Sequence, residues 1–256
     1  MYTLGMQSWR IQRQIIIFTI YFLIIFIPVF FITYNLLSKS PSCFDGIQNN
    51  GEEGIDCNGS CSLQCSGTYR DLKVNFVRAL PVSENVYDIF ALFENYNREV
   101  YFPKVPYSLA FYNDQGKLMG SSTGELFLYP QSRGVVFIPN LEIFQNPKTI
   151  DLQLGEYRAL KFTELLPRNI SIESWTAQRG ANNSLQLVGE LKNPNNEAYK
   201  NIDVYAMLYD DTKTVYAVSK TNVVSLGGRQ TVGVSFTWGD LQSPRNVEFV
   251  VVVNKQ

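Results

Sequence analysis

The residues best suited to chemistry in this 256-residue chain lie in one acidic stretch, 43–65 (CFDGIQNNGEEGIDCNGSCSLQC). Oxygen-bearing side chains recur in it at short spacing between glycines, which favour tight turns. Calcium takes about six to eight oxygen ligands from flexible loops of such composition. The order of donors is not that of an EF-hand, so the stretch is either a calcium loop of another kind or a solvated linker without metal. The candidate ligands are Asp45, Asn49, Glu52, Glu53 and Asp56.

All four cysteines of the chain fall within the same stretch, at Cys43, Cys57, Cys61 and Cys65. An even, clustered set of cysteines in an oxidising compartment predicts two disulfide bonds. Three pairings are open, and the sequence does not choose among them. A zinc site with four thiolate ligands is the competing interpretation, but the spacing lacks the C-x2-C pairs typical of zinc knuckles. Because the stretch has too few apolar residues to form a core, covalent links must hold it together.

The pattern of the stretch resembles a short cysteine repeat of secreted and surface bacterial proteins, C-x-DG-x-x-N-x-x-E-x-x-x-DCGG-x-C. Asn58 stands where that pattern has a glycine. The resemblance implies a surface stalk or spacer module, with calcium as a stiffening ion in one version. Matching positions are Asp45, Gly46, Asn49, Glu52, Asp56, Cys57, Gly59 and Cys61.

Other catalytic and binding chemistry finds little support in the composition. The chain has no histidine, which excludes histidine-based triads and the commonest zinc ligand sets. Residues 120–124 (GSSTG) fit G-x-S-x-G, but a β-like stretch follows where a nucleophile elbow needs a helix, so we interpret them as a polar connection between strands. With 22 basic and 23 acidic residues, the charge gives no case for nucleic acid binding. The sequence therefore predicts no enzyme.

A continuous apolar segment, 15–37, contains no charged residue, and 17 of its 23 residues are Ile, Leu, Val or Phe. As a helix it would reach roughly 35 Å, enough to cross the hydrocarbon core of a bilayer. Arg10 and Arg13 precede it and only Lys39 follows closely, which favours a cytoplasmic N-terminus. The apolar region is longer than that of a signal peptide, and Pro41 would obstruct cleavage. We expect an uncleaved signal anchor with the rest of the chain outside.

Beyond residue 67 the chain has β-like alternation and repeats itself at a period near 100 residues. Residues 93–97 (FENYN) correspond to 191–195 (LKNPN), and 111–114 (FYND) to 208–211 (LYDD). This repetition predicts two tandem β-sandwiches. The last apolar run, 247–253, is predicted to be a strand buried on both faces.

The second copy resembles FxLYD-type and Ig-like domains of membrane-anchored bacterial proteins through Leu208, Tyr209 and Asp210. Ala206 replaces the family's aromatic residue, so the domain is a diverged member. The resemblance implies a fold and a surface location, and no chemistry. Asp203, Asp210 and Asp211 could bind a cation, but such residues more often cap a β-turn.

The best partner-surface candidate is the segment 100–107 (VYFPKVPY). Its two prolines interrupt ladder pairing, which predicts an edge strand or an exposed loop. Exposed aromatic rings in such a segment could contact a glycan or a protein partner, although packing in the sandwich core is the more ordinary role. The candidate partner-binding residues are Tyr101, Phe102 and Tyr107.

Together these patterns predict a mostly β protein with an N-terminal transmembrane helix, a small disulfide-stapled module and two tandem Ig-like β-sandwiches. The segments are a cytoplasmic tail (1–14), the transmembrane helix (15–37), a cysteine-rich spacer module (38–67) and the sandwiches (68–163 and 164–256).

The predicted function is that of a single-pass cell-membrane protein of structural or interaction type. It would contact the lipid bilayer through 15–37 and present its extracytoplasmic sandwiches to a protein or cell-surface partner, with calcium as the candidate cofactor. An accessory subunit of an envelope complex for secretion, pilus assembly or division is the alternative. An extracytoplasmic hydrolase is a more remote one.

Overall fold

The computed structural model describes residues 3–37, 42–143, 147–164, 167 and 169–254. By its internal contacts the chain divides into two units, Met1–Asp56 and Cys57–Gln256. The start of the predicted spacer module (38–41) lies outside the described residues, as do residues 165, 166 and 168 at the start of the predicted second sandwich.

The first unit begins with the α-helix α1 (Thr3–Leu37). Its span Ile11–Tyr34 is long and apolar enough to cross a membrane, and the side chains of this span are exposed. The hydroxyls of Thr19 and Thr33 donate hydrogen bonds to carbonyl oxygens one turn earlier, at 2.7 and 2.8 Å. Both hydroxyls are thus satisfied inside the helix, as an apolar environment requires. The predicted helix is confirmed, but it begins at Thr3, so the predicted tail (1–14) is helical from that residue onward.

The second unit is built from antiparallel sheets, and its first half forms two of them. Strand β1 pairs with β2 and β2 with β5, while β3 lies between β4 and β6 and also pairs with β7 at its start. The two sheets pack face to face. The strands are β1 (Lys73–Ser83), β2 (Val86–Glu94), β3 (Val100–Tyr112), β4 (Leu118–Leu128), β5 (Arg133–Glu142), β6 (Thr149–Leu154) and β7 (Leu160–Lys161).

The second half repeats the arrangement of the first six strands, and β7 has no counterpart among its described strands. Its sheets have the orders β8-β9-β12 and β11-β10-β13, which are the orders β1-β2-β5 and β4-β3-β6 with every number raised by seven. The mostly β fold with β-sandwich sheets is confirmed, while the domain limits 68–163 and 164–256 remain predictions. The strands are β8 (Ser171–Arg179), β9 (Leu185–Lys192), β10 (Tyr199–Tyr209), β11 (Val215–Leu226), β12 (Thr231–Trp238) and β13 (Asn246–Val253).

Each pair of sheets encloses its own hydrophobic core. Fully buried side chains of alternate residues along the strands meet there, as the two-residue period of a β-strand requires. The first core includes Ile89, Phe93, Phe102, Leu109 and Phe111. The second includes Leu187, Leu191, Ile202, Leu208 and Phe236.

A third buried cluster joins the two sandwiches. Phe90 and Leu92 on β2 point away from the first core and pack with Tyr205 and Met207 on β10 and Val250 on β13. The sheets β1-β2-β5 and β11-β10-β13 are therefore covered on both faces, and the four sheets form one stack. The prediction that 247–253 is buried on both faces is confirmed in part. Its alternate residues pack into the second core and into this third cluster, but only Val250 and Val253 are buried and the others are half-buried.

The sequence repeat corresponds to a repeated hydrogen-bonded corner after β2 and after β9. Asn95 is 1% exposed and donates from Nδ2 to the carbonyl oxygens of Val100 and Tyr129, both at 2.8 Å. Asn193 is 0% exposed and donates likewise to Glu197 and Gly227, at 2.8 and 2.9 Å. In both corners Oδ1 accepts bonds from the backbone and side-chain amides of the asparagine two residues later. Burial of a fully bonded amide fixes the backbone of each corner.

The cysteine-rich segment from Cys57 onward is attached to the first sandwich by backbone bonds. Leu63 forms an isolated β-bridge with Leu160 of β7. The Gln64 N–H donates to the Ala159 carbonyl at 2.9 Å, and the Lys161 N–H donates to the Ser62 carbonyl at 2.6 Å. This half of the predicted spacer is therefore part of the β unit and not a free linker.

Candidate functional site

The predicted calcium ligands in the first unit form a hydrogen-bonded network. The Asp56 carboxylate accepts bonds from the backbone N–H groups of Asp45 and Gly46, at 3.0 and 2.9 Å. The Asp45 carboxylate accepts bonds from the Ile47 N–H and from Asn49 Nδ2, both at 2.9 Å. These carboxylates fix the backbone of the turn.

Two further observations bear on whether the loop fits a cation. Glu52 is buried and accepts a bond from the Asp56 N–H at 3.1 Å, so four of the five predicted ligands meet in one network. Asn49 Oδ1 is a buried oxygen that accepts no hydrogen bond from the residues that the structure describes. Glu53 is exposed. Carboxylate and amide oxygens are the donors that calcium prefers, so the residues present fit the ion, but bonds to backbone N–H groups already hold the loop. Calcium binding remains a prediction.

All four cysteines are disulfide-bonded. One bridge joins Cys57 to Cys65. Because a disulfide sulfur is not a thiolate ligand, the competing zinc interpretation is wrong for this oxidised chain.

Ser122 of the G-x-S-x-G match lies inside strand β4, opposite Leu109 of β3. Our interpretation of 120–124 as a connection between strands is therefore wrong. The strand geometry also lacks the strand-to-helix turn that exposes a nucleophilic serine. Of the aspartates considered for a cation, Asp210 closes a turn as expected, since its Oδ1 accepts bonds from the Thr212 and Thr214 N–H groups, both at 2.9 Å. Asp203 lies within β10 and forms an ion pair with Lys220 at 2.9 Å, and Asp211 forms one with Arg245 at 3.2 Å.

The prediction that 100–107 is an edge strand or an exposed loop is wrong. Strand β3 is the central strand of its sheet, with β4 on one side and β7 and β6 on the other. On one side of β3, pairing with β7 ends at Tyr101 and pairing with β6 begins at Tyr107. Pro103 and Pro106 lie in the unpaired gap between these two ladders, where a residue without an N–H group is tolerated. Pro103 also lies in the register shift between Phe102 and Val105.

The three predicted partner-binding residues have different environments. Phe102 is 0% exposed in the first core, so it cannot contact a partner while the domain is folded. Tyr107 is half-buried, burial raises its pKa, and a Cβ atom at Gly124 would stand 2.4 Å from its hydroxyl oxygen. Tyr101 is half-buried and lines a cleft. Of the three, Tyr101 has the surroundings of a binding residue.

This cleft, which we call the aromatic cleft, has a volume of about 440 Å³. Four of its rings contact one another in a closed cycle. The ring centroids of Tyr101 and Phe127 lie 5.9 Å apart, those of Phe127 and Tyr129 4.6 Å, those of Tyr129 and Phe162 5.5 Å, and those of Phe162 and Tyr101 5.4 Å. Three of these pairs are edge-to-face, the arrangement that the charge distribution of aromatic rings favours.

Charged side chains border the aromatic cleft. Glu164, Glu197 and Lys161 line it together with Tyr199. The pKa of the Tyr129 hydroxyl is raised by burial and then by the carboxylate of Glu164, and the pKa of Tyr199 is raised by burial and then by Glu197. The carboxylates thus lie close enough to the rings for their charge to act on them.

Most residues of the aromatic cleft were missed by reasoning from the sequence. Phe127, Tyr129 and Phe162 lie far along the chain from Tyr101 and come together only because β3 pairs with β4 and β7. The repeated asparagine is the one related sequence feature, but only the structure shows its role. Asn95 donates to the carbonyls of Val100 and Tyr129 and so brings the start of β3 and the residue after β4 side by side.

A second cleft, of about 610 Å³, lies where β1, β11 and the end of β12 approach one another. Burial raises the pKa of Asp88 there, although the Asn140 N–H donates to its carboxylate at 2.8 Å. Trp238 Nε1, also in the lining, is buried and has no hydrogen-bond partner within the described part of the chain.

Polar side chains also connect the sandwiches. Arg133 on β5 forms an ion pair with Glu248 on β13, and the Tyr209 hydroxyl donates to Glu248 at 2.7 Å. Burial alone would raise the pKa of Glu248, but hydrogen bonds from Tyr209 and Arg133 hold it below its usual value. The same bond, added to burial, raises the pKa of Tyr209.

Comparison with known proteins gives no family. No family model matches the chain, and no curated protein matches it. Among solved structures, a β-glucuronidase from glycoside hydrolase family 2 matches at 14% identity and a TM-score of 0.22, over 80% of this chain and 26% of that chain. This chain spans about a quarter of the length of that structure. A TM-score this low carries no argument about fold or activity.

Proposed function

We propose that this chain is a single-pass membrane protein of structural or interaction type. Its N-terminus would lie in the cytoplasm, and its β-sandwich stack outside would present surfaces to a protein partner. The observation that carries the proposal is the combination in one chain of an exposed apolar helical span, Ile11–Tyr34, with four disulfide-bonded cysteines. The helix suits lipid, and the disulfides suit an oxidising compartment.

The interface between the sandwiches supports a display role. Phe90, Met207 and Val250 are buried between the two sandwiches. A shared core of this kind holds the sandwiches in one orientation, so the surfaces they carry keep a fixed spacing. The bridge between Leu63 and Leu160 of β7 adds the part of the cysteine module after Cys57 to the same unit.

We also propose that the sandwiches are diverged FxLYD-type or Ig-like domains, and that the cysteine module is a surface spacer. The turn after β10 supports the first point, because Asp210 of the Leu208-Tyr209-Asp210 motif closes it with its side chain. The bonded network of Asp45, Asp56 and Glu52 supports the second, because it stiffens a segment with few apolar residues.

Protease accessibility tests the proposed location. A C-terminal epitope tag on the full-length protein should be removed when protease is added to intact cells, and the protein should remain in the membrane during alkaline extraction. An Ile24→Arg variant places a charge at the middle of the span, at a cost of about 2.5–3.5 kcal/mol, and should insert less well than the matched Ile24→Leu variant. A tag that is protected in intact cells and cleaved only after permeabilisation would refute the proposal. A stoichiometric membrane complex surviving mild detergent would favour the envelope-complex alternative.

A further inference from the structure

We propose that the aromatic cleft binds a lysine or arginine side chain presented by a protein partner. The inference rests on the proposed function, because it specifies the chemistry of the partner that the sandwiches would engage. Three features of the cleft carry it: the ring cycle, the charges at its border and the rigidity of the backbone around it.

The first feature is the cycle of four rings, Tyr101, Phe127, Tyr129 and Phe162. Aromatic faces carry negative electrostatic potential and attract cations that come within about 6 Å of the ring centre. Three of the four contacts are steep, with interplanar angles of 74°, 80° and 90°, so the rings face several directions. The ring planes therefore differ in direction and do not form the single flat platform on which a sugar ring stacks.

The second feature is the charge at the border. The cleft is lined by two carboxylates, those of Glu164 and Glu197, and by one ammonium group, that of Lys161, so negative charge is in excess. All three side chains belong to exposed residues. The carboxylates therefore add to the potential of the rings, and the cleft is complementary to a positively charged group. At about 440 Å³ it accommodates a side chain rather than a helix or strand of a partner.

The third feature is the rigidity of the surrounding backbone. Asn95 donates to the carbonyls of Val100 and Tyr129, and Asn193 donates to the carbonyl of Glu197, all at 2.8 Å. Both buried corners thus hold residues that line or adjoin the cleft. A preformed site loses less conformational entropy on binding than one that must be ordered by its ligand.

The test uses the full-length protein in detergent micelles, labelled with fluorotyrosine and followed by fluorine NMR. The probes are acetyl-arginine amide and acetyl-lysine amide, with the neutral acetyl-citrulline amide for comparison and cellotetraose for a glycan ligand. Signals of Tyr101, Tyr129 and Tyr199 are assigned through single Tyr→Phe variants. Both cationic probes should shift these signals saturably in the millimolar range, and citrulline should do so much less.

Variants of the charged residues at the border should change the affinity of the cationic probes in opposite directions. Neutralising both carboxylates in the Glu164→Gln/Glu197→Gln variant should weaken binding of the cationic probes about fivefold. The Lys161→Gln variant should strengthen it, because it removes the competing positive charge. Glu84→Gln, a matched change at an exposed residue of the β1–β2 turn, should leave binding unchanged. Since these side chains are exposed, none of the changes threatens the fold.

The outcomes separate this inference from the proposed function. Equal binding of the citrulline and arginine probes, saturable binding of cellotetraose in place of the cations, or no shift with any probe would each overturn the cationic assignment. The proposed function would stand in those cases if the C-terminal tag is accessible from outside. A tag protected in intact cells would overturn the proposed function whatever the probes do.

Discussion

Replacing Asn193 with alanine should destabilise the second sandwich far more than the loss of an ordinary surface asparagine. The side chain is 0% exposed and makes four hydrogen bonds, two donated to the carbonyls of Glu197 and Gly227 and two accepted from Asn195. At a net value of about 1 kcal/mol each these bonds would sum to about 4 kcal/mol. Asn195 is half-buried and its groups can recover water, so we expect a loss of about 2–4 kcal/mol in the free energy of unfolding.

Aspartate at this position should cost more than alanine at neutral pH. The Asn193→Asp variant keeps the volume of the side chain but turns a group that donates two bonds into a carboxylate facing two carbonyl oxygens. Burial and these oxygens raise the pKa of such a carboxyl in the folded state above its unfolded value of about 3.9. Stability is then lost as the pH rises above the unfolded pKa, so acidification should recover part of it.

Urea unfolding of the full-length protein in micelles, followed by tryptophan fluorescence, measures both effects. Trp175 on β8 and Trp238 on β12 report on the second sandwich. The matched control is Asn75→Ala, since Asn75 is half-buried and donates one side-chain bond, to Glu94 at 3.1 Å. An Asn193→Ala loss below about 1 kcal/mol, equal to that of the control, would refute the reasoning from buried bonds.

Three further predictions concern the interface, the pH dependence and calcium. Phe90→Ala should cost about 3–5 kcal/mol of unfolding free energy and uncouple the two sandwiches in calorimetry, whereas Val224→Ala, at a residue 73% exposed, should stay within about 0.5 kcal/mol. Because the pKa of Glu248 is lower in the folded state than in the unfolded state, stability should fall as the pH drops below about 4.5, and Glu248→Gln should reduce this fall. Because the pKa of Tyr209 is raised in the folded state, stability should also fall as the pH rises above about 10. If the loop binds calcium, the ion at 100 times its dissociation constant should stabilise the protein by about 2.7 kcal/mol. A chelator should reverse this effect, and the Asp45→Asn variant should not show it. An unchanged unfolding temperature would mean that the stretch is a disulfide-linked spacer without calcium.

Features encoded in short stretches of sequence were predictable. The apolar helix follows from one uninterrupted segment, and the sandwich sheets follow from the β-like alternation and the repeat of 93–97 at 191–195. These features depend on interactions within a few turns or strands. By contrast, the prolines of 100–107 suggested an edge strand, because the sequence does not show that the two neighbouring ladders leave a gap there.

The stacking of the sandwiches was not predictable for a different reason. Strands β2 and β13 carry apolar residues on both faces. Such a pattern predicts that both faces are covered, but it does not identify the element that covers each face. Which residues meet across the interface depends on how two separately folded sheets orient. The neighbouring residues Tyr101 and Phe102 show the same problem, because the sequence did not reveal which of them is exposed. Phe102 is buried in the first core, whereas Tyr101 points to the other face of β3 and lines the aromatic cleft.

The stack in turn restricts where a partner can bind. Because the sheets β1-β2-β5 and β11-β10-β13 cover each other, the faces left for a partner belong to the outer sheets, to the strand edges and to the clefts. Strand β8 is exposed along nearly its whole length and carries mostly polar residues. The aromatic cleft combines concavity, aromatic surface and charge on a backbone held by the two buried asparagine corners. A partner residue seated there would contact groups from β3, β4 and the loop before β10, and so would sense any change in how the two sandwiches are joined.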